Sequence, residues 1–166
     1  MTMPSPRRLW TLAALACAAT VALSLGLTAA LGLHPCHLCI FQRLLFMILT
    51  VLFGLTAWYW PRLIGSFAAL LSMPVSASGV AAAAYQSLLQ AQPAGSVSCT
   101  AGDPGVIEQL VEWLGQRLPD LFLATGFCEN AELWILGLSL ANWALVAQTG
   151  ALVVATAALW ARHRAS

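Results

Sequence analysis

Four of the five cysteines fall into two groups, and their placement points to thiol–disulfide chemistry. Cys36 and Cys39 form a C-x-x-C within Pro35-Cys36-His37-Leu38-Cys39, while Cys99 and Cys128 stand much further along the chain. A pair at i and i+3 behind a proline fits the first turn of a helix. There, free N–H groups and the helix dipole stabilise a thiolate. Such a pair can cycle between disulfide and dithiol; the same spacing also serves a static bridge pinning two segments together. Arg43 follows at i+4 from Cys39, on the same helical face and one turn deeper. A charge inside an apolar segment is costly and marks a functional site by default. Arg43 can stabilise a Cys39 thiolate and an anionic acceptor beside it, or it can snorkel to the headgroups. Gln42 is adjacent and can pack or hydrogen-bond inside a bundle. Cys17 lies in the middle of an apolar run and reads as a small buried residue.

The elements that carry these residues are membrane spans. The chain has 166 residues, of which 60% are hydrophobic and 8% charged, with net charge +1. Its mean hydropathy is +0.83. A soluble domain runs at about 45–50% apolar and about 25% charged residues. This composition excludes a soluble monomeric domain, a disordered chain and a basic nucleic-acid binder. Four runs are long enough to cross a bilayer: Leu9–Leu33, Ile40–Trp58 (with Arg43 near its start), Leu63–Leu89 and Leu133–Ala161. Each exceeds or approaches the roughly 20 apolar residues that a spanning helix needs. None shows the alternation over about 10 residues of a barrel strand. The expected fold is an all-α membrane protein, a four-helix transmembrane bundle forming a single membrane domain over 1–166.

Charge placement orients the bundle. Arg7 and Arg8 precede the first run, Arg62 lies between the second and third, and Arg162 and Arg164 come after the fourth. All six acidic residues, Asp103, Glu108, Glu112, Asp120, Glu129 and Glu132, lie between the third and fourth. The positive-inside rule then puts both termini and the 59–62 turn in the cytoplasm. The short 34–39 turn and the long 90–132 loop face outward. Cys36, Cys39, Cys99 and Cys128 all sit on that outer side, where disulfides persist. The first run is longer than the 7–15 residues of a signal-peptide core, so a retained helix is expected. Ala14-Leu15-Ala16-Cys17 only faintly matches a lipoprotein cleavage box. In the long loop, Asp103-Pro104 reads as N-cap and first helical residue. Val106, Ile107, Leu110, Val111, Leu114 and Leu118 then recur at helical spacing, and Pro119 limits the helix. Trp113 suits a helix lying flat on the outer leaflet; packing on the loop's own residues accounts for the same pattern.

Two motifs carry a resemblance. Cys36-His37-Leu38-Cys39-Ile40-Phe41-Gln42-Arg43 resembles the C-x-L-C-x-x-[QE]-R signature of the DsbB family, disulfide bond formation protein B. Phe122-Leu123-Ala124-Thr125-Gly126-Phe127-Cys128 is similar to that family's F-x-A-[ST]-G-x-C, and the stretch from Trp134 to Trp143 resembles the family's sequence just C-terminal to that motif. The likeness extends over nearly the whole chain. It implies a thiol oxidoreductase of the bacterial inner membrane that reoxidises a periplasmic DsbA-like thiol oxidase and passes the electrons to a membrane quinone, ubiquinone or menaquinone. Cys99 and Cys128 match the loop disulfide that DsbA attacks; Cys36 and Cys39 match the pair beside the quinone; Arg43 matches the arginine near the quinone head. Some family members carry a histidine near the outer end of the third span that has been linked to the quinone pocket. Gln86 stands at roughly the matching position and is taken as a pocket residue. By the same analogy, a DsbA thiolate attacks Cys99, the freed Cys128 attacks Cys36, and Cys39 is released as a thiolate. The implied partners are the thiol oxidase, the quinone pool and membrane lipid, without nucleic acid.

General chemistry agrees with that division. DsbA is a strong oxidant, at about −120 mV, so its own acceptor must lie higher, as a respiratory quinone can and nicotinamide does not. No G-x-G-x-x-G is present. His34, Cys36, His37 and Cys39 supply N and S ligands of the kind that zinc or copper takes. That reading leaves Cys99 and Cys128 unexplained, so no metal is expected. Residue 40 is Ile, so C-x-x-C-H haem attachment fails. A membrane protein held by two inert disulfides, a paralogue serving a dedicated thiol oxidase, and a relative with vitamin K epoxide reductase-like logic are the remaining alternatives. The last places its C-x-x-C late in the chain, unlike Cys36 and Cys39. Asn142 and Gln148 are polar residues in the fourth run and are expected to face the bundle.

Overall fold

A computed structural model describes residues 6–92, 105–131 and 133–165. Its elements are α1 (Pro6–Leu31), α2 (His37–Tyr59), α3 (Leu63–Gln90), α4 (Val106–Arg117), the short α5 (Pro119–Phe122), β1 (Trp134–Ile135), β2 (Leu138–Ser139) and α6 (Leu140–Ala165). Four of the described helices, α1, α2, α3 and α6, are long and apolar enough to cross a membrane. Lipid offers no partner for backbone N–H and C=O groups, so each span satisfies them internally as a helix. The fold is thus an all-α membrane bundle with almost no sheet.

The helices pack in the order α1, α2, α3, α6, and α1 meets α6 through only a few residues. This leaves the bundle parted along one side. Alanine, glycine and serine supply much of α3's buried face, including Ala68, Ala69, Ser72, Ser76, Gly79 and Ala83. Small residues let spanning helices approach closely where no hydrophobic force separates them from lipid. The outward surface stays apolar, with Leu23, Phe67 and Val153 all exposed. Near the 59–62 turn, Trp10 packs against Phe53 and Trp60 at ring distances of 5.4 and 6.3 Å. Cys17 is buried in that same cluster, apart from the other described cysteines, and packs as a small apolar side chain.

Several helix boundaries differ from the sequence expectation, two of them with a clear local cause. The fourth span begins at Leu140 rather than at residue 133. Residues 134–139 form an antiparallel hairpin pairing Trp134 with Ser139 and Ile135 with Leu138. Its turn places Leu136 and Gly137 at φ of 53° and 79°, a twisted two-residue connection that favours glycine. The Trp143 indole N–H ties α6 to the hairpin by donating to the Ile135 carbonyl at 3.0 Å. The second difference is the start of α4. Its N-cap is Gly105, whose N–H donates to the Glu108 carboxylate. Asp103 and Pro104 lie outside the described residues.

The α4 helix packs Ile107, Val111 and Leu114 against Ile40 of α2 and Phe122. Its partner is therefore α2 as well as the loop itself. Val106, Leu110 and Trp113 face outward, and the Arg117 guanidinium lies 3.9 Å from the Trp113 ring centre. That outward stripe remains available to a bilayer surface.

Candidate active site

The first cysteine motif forms a helix start, as the spacing predicts. Cys36 is the N-cap of α2, extended at φ −83° and ψ 171°. Its sulfur accepts the Cys39 N–H at 3.4 Å, taking the place of a capping hydroxyl. Cys39 falls at the third helical position, so the two sulfurs stand 3.1 Å apart. Cys36 is buried and Cys39 is half-buried.

Pairing of α2 with α3 brings two glutamines to these sulfurs. Gln86 Nε2 lies 3.0 Å from Cys39 Sγ and 3.4 Å from Cys36 Sγ. Gln42 Nε2 donates to Gln86 Oε1 at 2.9 Å. Both amides are buried. Gln86 was legible as a pocket position, but its contact with the sulfurs was not.

The second motif docks on the first. The N–H groups of Thr125 and Gly126 both donate to the Pro35 carbonyl, at 2.9 and 3.2 Å. His34 Nδ1 meets Thr125 Oγ1 at 3.3 Å. A β-carbon on Gly126 would overlap the His34 carbonyl oxygen, so only glycine permits this approach. The glycine of the F-x-A-T-G-x-C run thereby acquires a physical reason. Its consequence is the position of Cys128, which is buried in one cluster with Cys36, Leu38 and Leu89. Contact with Cys128, then contact with Cys39, then burial hold the Cys36 thiol well above the usual thiol range. Cys36 thus keeps its proton and stands between two other sulfurs. Cys99 lies outside the described residues.

Arg43 is buried within the bundle rather than snorkelling to its edge. Its Nε donates to Ser24 Oγ at 3.2 Å, Nη1 to the Leu121 carbonyl at 2.8 Å, and Nη2 to Thr28 Oγ1 at 3.0 Å. Each of these partners is a neutral oxygen, so the cation is held without its charge being neutralised by them. It also ties α1 and the α5 segment to α2. Sequence reasoning missed Ser24 and Thr28. Their signal was present: Thr20, Ser24 and Thr28 recur at i+4 in an apolar span, where hydroxyls tend to face the bundle.

A cavity of about 380 Å³ opens where α1 and α6 barely meet. Cys36, Cys39, Arg43 and Gln86 line its inner end, and apolar residues such as Leu27, Phe46 and Ala144 line much of the rest. Ligand pockets commonly fall at roughly 300–1,000 Å³ with apolar walls and a few placed polar groups. Among the described residues, no group of three or more His, Cys, Asp or Glu side chains is arranged to hold a metal ion.

Comparison with known proteins settles the family. The family model described as Disulfide bond formation protein DsbB matches residues 6–158. The chain belongs to the DsbB family. Among similar proteins, the Disulfide bond formation protein B of Dechloromonas aromatica is 42% identical over 147 residues, covering 87% of this chain and 86% of its own. That of Polaromonas sp. (strain JS666) is 36% identical over 141 residues, covering 85% and 83%. That of Albidiferax ferrireducens is 32% identical over 158 residues, covering 95% and 90%. This DsbB-family chain is therefore a membrane protein of disulfide bond formation. Cys36 and Cys128 pack together at its cysteine-bearing end, with Cys39 against them.

Proposed function

We propose that this protein is a thiol:quinone oxidoreductase of the bacterial inner membrane. It reoxidises a periplasmic DsbA-like thiol oxidase and passes the electrons through two cysteine pairs to ubiquinone or menaquinone. The observation that carries this reading is a line of sulfurs: Cys128 is buried against Cys36, and Cys36 touches Cys39, which borders a cavity between two membrane helices. The arginines flanking the spans support cytoplasmic termini and a periplasmic cysteine end.

The steps derive from thiolate exchange. The oxidase's thiolate attacks Cys99 of a Cys99–Cys128 disulfide, giving a mixed disulfide and a Cys128 thiolate. Cys128 attacks Cys36 of the Cys36–Cys39 disulfide, and Cys39 leaves as a thiolate. Attack is fastest when the leaving thiol is stabilised as its anion. Cys39 meets that need: it sits at a helix start, and Gln86 and the Cys36 thiol both donate to its sulfur. The oxidase's second thiolate then attacks the oxidase sulfur of the mixed disulfide, leaving the oxidase oxidised and releasing Cys99 as a thiolate. Cys99 attacks Cys128 of the Cys36–Cys128 bond, which re-forms the Cys99–Cys128 bridge and releases Cys36, so the two electrons rest on Cys36 and Cys39 beside the cavity.

The cavity fits a quinone head. Its walls are mainly apolar, its size suits a substituted ring, and its inner end holds a buried cation on neutral partners beside a sulfur. Cys39, Arg43 and Gln86 would hold the ring end. A bound quinone supplies an acceptor for two electrons and two protons. The test is reoxidation of a reduced DsbA-like oxidase by the purified protein. Catalytic turnover that depends on added ubiquinone or menaquinone is expected; no turnover with either overturns the proposal.

A further inference from the structure

We infer that the amides of Gln42 and Gln86 form an oriented pair that presents a fixed N–H donor to the Cys39 sulfur. Gln86 touches the reacting sulfur, and Gln42 is its positioning residue. The inference deepens the oxidoreductase reading and rests on it.

The orientation is set by donor and acceptor chemistry. A primary amide has an oxygen that only accepts and an NH₂ that only donates. Gln42 Nε2 occupies the Gln86 oxygen at 2.9 Å, which turns the Gln86 NH₂ toward Cys39 at 3.0 Å and Cys36 at 3.4 Å. Flipping Gln86 would set two NH₂ groups against each other and an oxygen against sulfur lone pairs. Both side chains are almost fully enclosed, at 4% and 2% exposure, so water does not compete for the donor. Arg43 cannot replace it at the same bond, since its guanidinium donates to Ser24, Leu121 and Thr28. Amides do not titrate in the ordinary pH range, so the donor persists whatever the pH.

A hydrogen bond to a charged sulfur is stronger than one to a neutral sulfur. The pair therefore favours the reduced state of Cys36–Cys39 over its disulfide. On reduction the disulfide takes up two electrons and one proton, leaving the Cys36 thiol and the Cys39 thiolate. With glutathione as reductant, two molecules of the thiol become one glutathione disulfide, and one proton goes to solvent.

The test is the equilibrium of this pair against a glutathione buffer. The full-length protein in detergent would carry Cys99→Ala and Cys128→Ala, so that only the Cys36–Cys39 pair exchanges. Gln86→Met keeps the shape and removes the donor; it is expected to lower the reduction equilibrium constant about tenfold, close to 30 mV. Gln42→Met frees the Gln86 amide to rotate and is expected to give a smaller shift, about threefold, in the same direction. Adding Gln42→Met to Gln86→Met is expected to change nothing more. Should Gln86→Met fail to fold, Gln86→Asn withdraws the amide by one methylene and carries the same expected direction. An equilibrium within about twofold of the parent for the Gln86 variant overturns the proposal, as does a Gln42→Met shift that persists in the double variant. These outcomes do not depend on quinone turnover, whose absence would instead sink the oxidoreductase reading.

Discussion

Gly126 stands against the main-chain carbonyl of His34 with no room for a β-carbon between them. This contact, together with the two N–H bonds to Pro35, docks one cysteine motif on the other and buries Cys128 beside Cys36. Gly126→Ala must push the two segments apart. Turnover of the thiol oxidase is expected to fall at least about tenfold, while the spans stay helical and the thermal transition moves little, because the lesion lies in a surface loop. Steady-state kinetics and circular dichroism on the purified variant check both parts.

Arg43 both bridges three neutral oxygens and lines the cavity, and on the proposed reading its variants should separate a tethering from a quinone-binding effect. Arg43→Ala leaves Ser24, Thr28 and the Leu121 carbonyl without their donor and removes the cation from the cavity. The KM for quinone is expected to rise about tenfold or more, while the rate of mixed-disulfide formation at Cys99 stays within about twofold. Equal loss of both would make Arg43 a structural tether only. Arg43→Lys keeps a point charge but not the three-way fork, so it should recover only part of the quinone affinity.

Cys36 should behave as an inert thiol. Its contact with Cys128 first, then Cys39 and burial, raise its titration far above that of an unfolded thiol. The group's raised folded value contributes stability that is fully present below the unfolded thiol range. That stability declines as pH rises past about 8.5, where only the unfolded chain loses the proton. Reduced protein is therefore expected to unfold at lower temperature above about pH 9, and Cys36 to resist alkylation at pH 8. Cys128→Ala removes the largest cause and should shift the pH profile of Cys36 alkylation downward. An unchanged profile would contradict the sulfur contact.

Gln148 lies fully buried on α6 against Gly79 of α3, and among the described residues neither its nitrogen nor its oxygen has a hydrogen-bond partner. A buried amide without partners is destabilising. Gln148→Met, similar in shape, is expected to stabilise the protein by about 1 kcal/mol. Gly79→Ala should destabilise it by about 2 kcal/mol through overpacking. Unfolding in detergent measures both.

Much of this arrangement was legible in the sequence, for reasons that differ by residue. Pro35 before cysteines at i and i+3 has few conformations available, and a helix start is the simplest. Arg43 announced itself because a cation in an apolar run demands partners. The partners themselves were not legible, since Ser24 and Thr28 come from a different helix. The approach of Cys128 to Cys36 came only from the family resemblance; its physical basis, a glycine contact between two loops, was not legible. The hairpin at 134–139 was hidden because Trp134, Ile135, Leu136 and Leu138 continue the apolar run of the span behind them; only Gly137 hinted at a turn. The hydrogen bond between Gln42 and Gln86 was not legible, because it forms only when α2 and α3 pair.

The central claim is that the disulfide passes from Cys99–Cys128 to Cys36–Cys128 with Cys39 released. The most direct measurement is disulfide mapping by mass spectrometry after quinone-free protein is mixed with one equivalent of reduced thiol oxidase and quenched with an alkylating reagent. The account predicts three products together: oxidase joined to Cys99, Cys36 joined to Cys128, and Cys39 carrying the alkyl group. An intact Cys36–Cys39 disulfide beside a free, alkylated Cys128 would contradict it.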